Sequence, residues 1–227
     1  MSVLTKLRPH ALSIFFGIIF LLSLIGQSLA GLAQYNEQQL EHGLPGEGYL
    51  AFITSSDFVV DVAENWQSEF LQFFLFILAT IWLIQRGSPE SKKEGDEGLG
   101  SDEDQLVGSH ARPDSPAWAK ADGWRRSLFS NSLLLVMGTV FVLSWFIQSI
   151  AGRVVYNSEQ AEHGSPPVDW VGYVTSADFW NRTLQNWQSE FLAVGCMVVF
   201  SIFLRQRGSS ESKPVGTPHS KASIESE

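Results

Sequence analysis

Four long apolar stretches, separated by polar segments, constrain this chain more than any other feature of its sequence. They cover residues 11–33, 66–85, 128–151 and 187–205. Each is close to the roughly 20 residues that a helix needs to cross a hydrocarbon core about 30 Å thick. None has a charge at its centre, and none shows the period-two alternation of a barrel strand. A segment in lipid must satisfy its own backbone hydrogen bonds, so these stretches predict transmembrane helices.

The bulk composition conceals this segregation of apolar and polar residues. The 227 residues are 44% hydrophobic, and the formal net charge is −9. Basic residues are few and scattered, which indicates that nucleic acid is not a partner. Cys196 is the single cysteine, which excludes an internal disulfide and a cysteine-based zinc site. We therefore expect the lipid bilayer to be the main partner of the chain.

The first apolar stretch has a second interpretation, as a cleavable signal peptide. Lys6 and Arg8 precede it, and it ends with the small residues of segment 28–31 (SLAG), as a cleavage site would. However, segment 149–152 (SIAG) has the same form and follows the third apolar stretch, deep inside the chain. The small residues therefore belong to a repeated unit, and we expect the first stretch to be retained as a helix.

A shift of 121 residues aligns the second half of the chain with the first half without a gap, so that Gln27 meets Gln148. Segment 65–71 (NWQSEFL) returns unchanged at 186–192. Between residues 27 and 92, about half of the aligned positions are identical. Such identity indicates an internal duplication.

The duplication predicts an all-α fold, a four-helix transmembrane protein made of two tandem helix–loop–helix repeats in the same orientation. The first repeat covers residues 1–93 and the second covers 125–208. The acidic linker at 94–124 and the tail at 209–227 are predicted to be disordered and cytoplasmic, because they are rich in Gly, Ser and charged residues. The two repeats should then be related by a pseudo-twofold axis along the membrane normal.

Sequence signals inside each repeat predict where its second helix begins and ends. Ser55 and Ser176 are predicted N-caps, each with an aspartate in the first turn that follows. The helices should begin there, outside the membrane, and enter it near the tryptophan of NWQSEFL. Gly87 and Gly208 are predicted to terminate them, followed by basic residues that suit lipid headgroups.

The distribution of Lys and Arg predicts the orientation of the chain in the membrane. Basic residues precede the first stretch, follow the second and fourth, and precede the third, whereas the loop at 31–65 has none. The second polar loop has only Arg153 and Arg182. Both termini and the linker are therefore predicted to be cytoplasmic, and both polar loops should face outward.

The repeated motifs resemble those of a known family. NWQSEFL begins a span, QRGSxESK follows it, and a YN…EHG segment precedes it in both halves. Together they are similar to a family of bacterial multi-pass membrane proteins that is known only as a domain of unknown function. The resemblance covers nearly all of both halves. It implies a bacterial inner-membrane protein and implies no activity.

Polar residues that occur in both halves, near the outer ends of the predicted helices, are the candidate site. Ionisable groups at membrane depth are costly and often mark a functional interior. The candidates form one predicted polar cluster. They are Gln27, Tyr35, Asn36, His42, Asp57, Asn65, Gln67, Glu69, Gln148, Tyr156, Asn157, His163, Asp178, Asn186, Gln188 and Glu190.

Glu69 and Glu190 admit two interpretations. Each carboxylate could be an interfacial group that is hydrogen-bonded to Gln27 or Gln148 and so holds its own hairpin together. Alternatively, the carboxylates could bind a proton, a cation or a polar solute. The first interpretation is the expected one, because each Glu comes only one turn after Trp66 or Trp187, which we predict to lie in the aromatic belt at the outer membrane surface.

No catalytic or cofactor signature accompanies these residues. His42 and His163 each follow a glutamate, but one histidine per repeat is too few ligands for a metal, so no metal site and no cofactor is predicted. Nucleotide loops, nucleophile elbows and HExxH motifs are absent from the sequence. We expect a non-enzymatic structural or accessory membrane component that acts by helix association and can form homo-oligomers. The alternative is a small transporter or channel for a proton, an ion or a solute that the sequence does not identify.

Overall fold

The structure is a computed structural model, and it describes residues 7–222. All regular secondary structure in this part of the chain is helical. Two short 3-10 helices, Arg8–His10 and Gly108–His110, accompany seven α-helices. The α-helices are α1 (Ala11–Glu41), α2 (Tyr49–Ile53), α3 (Ser56–Trp82), α4 (Trp124–Ser130), α5 (Ser132–Glu162), α6 (Trp170–Val174) and α7 (Ala177–Phe203).

Within the described residues, three helices are long and apolar enough to cross a membrane. They lie at Arg8–Glu41, Ser132–Glu162 and Ala177–Phe203, and so contain α1, α5 and α7. Helix α3 is as long as α7, with 27 residues, but its first half is more acidic and contains Asp57, Asp61 and Glu64. The structure therefore supports a membrane protein with three candidate spans, and a fourth span through α3 stays a prediction.

Helices α1 and α5 are longer than the apolar stretches from which they were predicted. Each has 31 residues, which corresponds to a length of about 46 Å. This exceeds the roughly 30 Å of a hydrocarbon core, so each helix extends beyond it into a polar segment. The apolar stretches at 11–33 and 128–151 therefore mark the lipid-compatible part of each helix rather than its end.

The EHG segments end these two helices. Gly43 has a φ of 72° and Gly164 a φ of 69°, the left-handed conformation in which glycine carries no steric cost. Just beyond Gly43, the N–H of Leu44 donates to the carbonyl of Gln39 at 2.8 Å. The corresponding bond after Gly164 is 2.9 Å long. These are Schellman-type caps, which explains the repeated glycine.

The predicted N-caps are confirmed. The Ser55 hydroxyl accepts a hydrogen bond from the N–H of Phe58 at 3.4 Å. The Ser176 hydroxyl accepts from the N–H of Phe179 at 3.2 Å, and α7 begins at the next residue. Each serine satisfies a backbone donor that has no partner within the first turn of its helix.

The chain divides into two compact units. The first contains residues up to Val62 together with Ile150–Asp169, and the second contains Ala63–Ser149 together with the residues from Trp170 onward. In the first unit, Phe52 is buried, and its ring contacts those of Tyr35 and Phe58 at centroid distances of 5.6 and 5.5 Å.

The second unit buries polar side chains and exposes apolar ones. Gln67, Gln148 and Thr183 are fully buried in it, whereas Phe146 and Leu192 are 53% and 61% exposed. In water, this arrangement would expose large apolar patches to the solvent. It is the arrangement expected where lipid, rather than water, surrounds the helices.

The segment between α3 and α4 consists of turns and one short 3-10 helix. Its local bonds include the N–H of Gly108 to the carbonyl of Ala119 at 2.9 Å, and the Ser101 hydroxyl to the Asp104 carboxylate at 2.6 Å. The Ser101 bonds hold the pKa of the exposed Asp104 below its usual range. The disorder that the composition of this linker predicts stays a prediction.

Candidate functional site

Buried polar and aromatic side chains of α3, α5 and α7 meet inside the second unit. The indole N–H of Trp187, on α7, donates to the Gln67 side-chain carbonyl, on α3, at 2.7 Å. Trp145, on α5, contacts Trp187 with a ring-centroid distance of 5.8 Å. We call the set Gln67, Trp145, Gln148, Thr183 and Trp187 the polar core.

Thr183 is the common acceptor of the polar core. Its hydroxyl oxygen lies 3.4 Å from the indole nitrogen of Trp145 and 3.5 Å from the side-chain nitrogen of Gln148. Thr183 lies on α7 and the other two residues lie on α5, so these long bonds join two helices. Interhelical hydrogen bonds of this type contribute about 0.6 kcal/mol each in membrane proteins, so the core stabilises the packing by a modest amount.

Two buried atoms of the polar core make no hydrogen bond to the described residues. The Nε2 of Gln67 and the Oε1 of Gln148 are buried, and neither has a hydrogen-bond partner among the described residues. Each amide is bonded at one end only, to Trp187 or to Thr183. An unpaired buried amide group is costly, so a water molecule or a polar solute would be favoured at these two atoms.

An ionic network adjoins the polar core. Arg182, one residue before Thr183, contacts Glu64 of α3 at 3.1 Å and Asp178 of its own helix at 3.4 Å. The Tyr173 hydroxyl, on α6, donates to the same Asp178 carboxylate at 3.4 Å. Burial of Tyr173, followed by the nearby charge of Asp178, raises the pKa of this phenol, so it stays a neutral donor. The network joins α3, α6 and α7.

The predicted cluster residues Asn36 and Asn157 hold the loops that follow their helices. Asn36 accepts from the N–H of Glu47 at 2.6 Å and donates to the carbonyl of the same residue at 3.0 Å. Asn157 makes the same two bonds with Val168, at 2.8 and 3.0 Å. Each side chain clamps one backbone unit eleven residues ahead. The asparagine of the YN motif therefore has a local structural role.

The predicted histidines lie at exposed helix ends in the first unit. The Nδ1 of His42 is 3.8 Å from the Glu162 carboxylate, and both side chains are 53% exposed. His163 contacts the carbonyl of Glu159, one turn earlier, at 2.8 Å. Within residues 7–222, no three His, Cys, Asp or Glu side chains are grouped as metal ligands would be.

The rest of the predicted cluster is divided between the two units. Gln148 donates to Thr183 rather than to Glu190, so the carboxylate–glutamine bond expected in the second repeat is wrong. Asn186 donates to the carbonyl of Arg182 at 2.9 Å. The remaining members are partly or fully exposed to the surroundings of the chain: Gln27, Asp57, Asn65, Glu69, Tyr156, Gln188 and Glu190.

Several residues of the polar core and its ionic network were missed by the sequence reasoning, which considered only residues that both halves share. The missed residues differ from their sequence equivalents 121 positions away. Glu64 and Arg182 stand opposite Gln185 and Asp61, respectively, so the two halves have gained complementary charges. Divergence between the halves was the signal that could have found them. The missed residues are Glu64, Trp145, Tyr173, Arg182 and Thr183.

The QRGSxESK segments form matching turns after α3 and α7. The N–H of Gln85 donates to the Ser91 hydroxyl at 2.8 Å, and a bond of the same length joins Gln206 to Ser212. The prediction that the glycines of these segments end the helices is wrong, because α3 ends at Trp82 and α7 at Phe203. The chain is already extended at Leu204, and the glycine instead turns the segment that follows.

Neither the curated proteins nor the solved structures include a significant match to this chain. One family model matches, and it covers residues 3–224, nearly the whole sequence. On that match, the chain belongs to the family described as a domain of unknown function (DUF6766).

Proposed function

We propose that this protein is a bacterial inner-membrane component that acts through helix association, in a structural or accessory role and without enzymatic activity. The observation that carries the proposal is the use of the buried polar groups. Gln67, Thr183 and Arg182 each bond to a neighbouring helix within the second unit. Polar groups used in this way hold helices together.

The proposal includes four spans in two tandem repeats, with α3 as the second span. Helix α3 has no apolar window like those of the other three long helices, but two of its polar side chains are buried in the second unit. Gln67 and Ser68 are 0% and 2% exposed, whereas Phe73 and Leu75 on the same helix are 48% and 39% exposed. Such a division between the faces of α3 would let it cross a bilayer with its polar face covered by protein.

Matching contacts at sequence-equivalent positions support the tandem-repeat part of the proposal. The Ser28 hydroxyl lies 2.9 Å from the Tyr49 hydroxyl. At the equivalent place, the Trp170 indole N–H donates to the Ser149 hydroxyl at 3.0 Å. The asparagine clamps and the turns after α3 and α7 match in the same way. We propose that both repeats have the same helix–loop–helix plan and the same orientation.

Both termini and the linker are proposed to be cytoplasmic, on the basis of the positive charges that flank the helices. The test is thiol labelling in intact cells, after Cys196 has been replaced by alanine. A cysteine at position 46 or 167 should react with an impermeant reagent, and one at position 100 should react only after the membrane is opened. Labelling at position 100 in sealed cells would contradict this orientation.

Self-association is part of the proposal, because the chain itself covers little of its most apolar helix. Only 6% of the apolar window in Arg8–Glu41 is buried by the rest of the chain. Lipid or a second copy of the chain would cover the remainder. The mass of the purified protein in lipid nanodiscs distinguishes a monomer from an oligomer, and a strict monomer at all concentrations would contradict self-association.

A small transporter or channel is the second candidate, because the Nε2 of Gln67 and the Oε1 of Gln148 are buried without partners among the described residues. Flux of protons or ions into vesicles that contain the purified protein tests it. We expect no flux above that of empty vesicles, and E69Q and E190Q should fold like the wild type. If the wild type shows flux and a well-folded Gln variant does not, the transporter or channel replaces the structural proposal.

A further inference from the structure

A small basic pocket lies beyond the end of α3, in the second unit. Its volume is about 260 Å³, and two segments form it, one from 84 to 94 and one from 220 to 222. Its lining includes four basic residues, Arg86, Lys92, Lys93 and Lys221, and one acidic residue, Glu94. This excess of positive charge occurs in a chain whose formal net charge is −9. The lining of the pocket is therefore locally positive.

A buried lysine holds the two walls of this pocket together. The side chain of Lys213 is almost fully buried, and its ammonium group donates to the carbonyl of Gly87 at 2.5 Å and to that of Lys221 at 2.9 Å. It also donates to the carbonyl of His219 at 3.2 Å. Gly87 and Lys221 are themselves pocket residues, so Lys213 fixes the spacing between the walls without contributing its charge to the lining.

Gly87 permits this close approach of the two segments. It has a φ of 86°, and a Cβ atom added to it would lie 2.1 Å from the carbonyl oxygen of His219. Any other residue would push the tail away. At Gly208, the sequence equivalent of Gly87, an added Cβ would meet nothing within 4 Å. The contact between the tail and the turn is therefore specific to the end of α3.

We propose that this pocket binds the phosphate group of an anionic membrane lipid. The proposal rests on the membrane insertion proposed above. Helix α3 ends at Trp82, and the pocket lining begins two residues later at Ile84, so the pocket lies at the level where headgroups meet the end of the helix. Basic residues that directly follow a span attract anionic lipids, and Ile84 offers the same lipid an apolar contact.

The turn after α7 provides an internal control for the pocket. It has the same local bonds, and Arg207 stands in the place of Arg86, but Pro214 replaces Lys93. Its lysine, Lys213, donates to backbone carbonyls, and the equivalent Lys92 of the pocket also donates to one, that of Gly98. The open groove on this turn has only Arg207 and Lys213 as basic lining residues. Lipid binding should therefore depend on Arg86 and not on Arg207.

The experiment is a lipid-binding titration of the purified full-length chain in detergent, with bound molecules counted by native mass spectrometry. The probes are phosphatidylglycerol, phosphatidylcholine and soluble glycerol phosphate. The wild type should retain phosphatidylglycerol in preference to the other two. R86Q and K221Q should each weaken this binding about fivefold, as expected for the loss of one basic residue at a membrane surface. R207Q should leave it unchanged.

Several results would overturn the proposal. Equal losses in R86Q and R207Q would show that general basicity, and not the pocket, attracts the lipid. Binding of glycerol phosphate as strong as that of the lipid would identify a free phosphate as the ligand. K221Q keeps the test decisive if R86Q misfolds, because Lys221 lies near the end of the described chain.

Alkaline extraction of membranes separates failure of the pocket from failure of the proposed function. A chain that resists extraction but shows no preference for phosphatidylglycerol would overturn the lipid site and leave membrane insertion standing. A chain that alkali releases would overturn both.

Discussion

The two repeats have the same local structure but use different residues to pack. The asparagine clamps at Asn36 and Asn157 make the same two backbone bonds, and the glycine caps after α1 and α5 have nearly the same φ. The bonds that join the repeats, by contrast, link unlike residues: Glu64 pairs with Arg182, and Gln67 accepts from Trp187. Shared residues thus shape each repeat in the same way, whereas the bonds that join the repeats are not symmetric.

The comparison extends to burial. Gln67 is fully buried and accepts from Trp187, whereas its sequence equivalent Gln188 is exposed. If the two repeats packed with full symmetry, Gln188 and Trp66 would make the matching bond and would be buried to the same extent. Duplicated sequences therefore need not bury equal faces, and the departures from symmetry show where one copy has specialised.

Among the contacts that differ between the repeats, the ion pair of Glu64 and Arg182 should have the largest effect on stability when it is broken. R182L should lower the free energy of unfolding by about 2 kcal/mol, because it removes the positive charge that pairs with the mostly buried Glu64 carboxylate. The Glu64 side chain is only 14% exposed. Thermal or denaturant unfolding in detergent measures the change.

Gln185, the sequence equivalent of Glu64, provides the control for this pair. Gln185 is exposed, so Q185L should change stability little. The double variant E64R/R182E should recover part of the loss, since it restores opposite charges. A stable R182L protein would show that the ion pair does not join the repeats.

A smaller effect is expected at the two tryptophans of the repeated NWQSEFL segments. W187F removes the donor to Gln67 and leaves a buried amide with no partner, which should cost about 1 kcal/mol. W66F is the matched change at a side chain that is 42% exposed, and it should cost less. Unfolding in the same detergent compares the two, and equal losses would indicate that the repeats pack symmetrically.

The asparagine clamps should behave alike in both repeats. N36A and N157A should each increase hydrogen exchange at the clamped amide, that of Glu47 or Val168, about fivefold, which corresponds to about 1 kcal/mol of local protection. Hydrogen exchange read by mass spectrometry on the two loops tests this. A clear effect in one loop and none in the other would contradict the view that shared residues have the same role in each repeat.

The smallest effect is expected from pH at the turn after α3. Burial, followed by the charge of Glu211, raises the pKa of Glu90 above its ordinary value of 4.5. A carboxyl group with a raised pKa in the folded state stabilises that state most at low pH, and the contribution is lost as the pH rises through the folded pKa. Hydrogen exchange in the turn should therefore slow as the pH falls from neutral toward acidic values.

Two variants separate the causes of this pH dependence. E90Q should remove it, because the amide does not titrate. E211Q should reduce it only in part, because burial, the larger cause, remains. The exchange rates are first corrected for the intrinsic pH dependence of amide exchange. If the corrected rates in E90Q still vary with pH as they do in the wild type, another group titrates.

The sequence predicted the long helices and their N-caps better than their C-terminal ends or their packing. Apolar length and cap chemistry depend on neighbouring residues, so the caps at Ser55 and Ser176 could be read directly. The polar core could not be predicted, because Thr183 lies 35 residues from Gln148 and Trp187 lies 120 residues from Gln67. Such partners depend on which helix faces meet, and the apolar pattern of a helix in lipid does not reveal this.

The bond between Gln67 and Trp187 also has a consequence for how the chain is made. The two residues are 120 positions apart, and a ribosome that adds about 5–20 residues each second needs roughly 6–24 s to reach the second after the first. During that time α3 has already emerged, and the side-chain amide of Gln67 is exposed to lipid or to the insertion machinery. A nascent chain arrested before α7 should therefore be retained by the insertion apparatus or degraded, although both helices of its first repeat are complete.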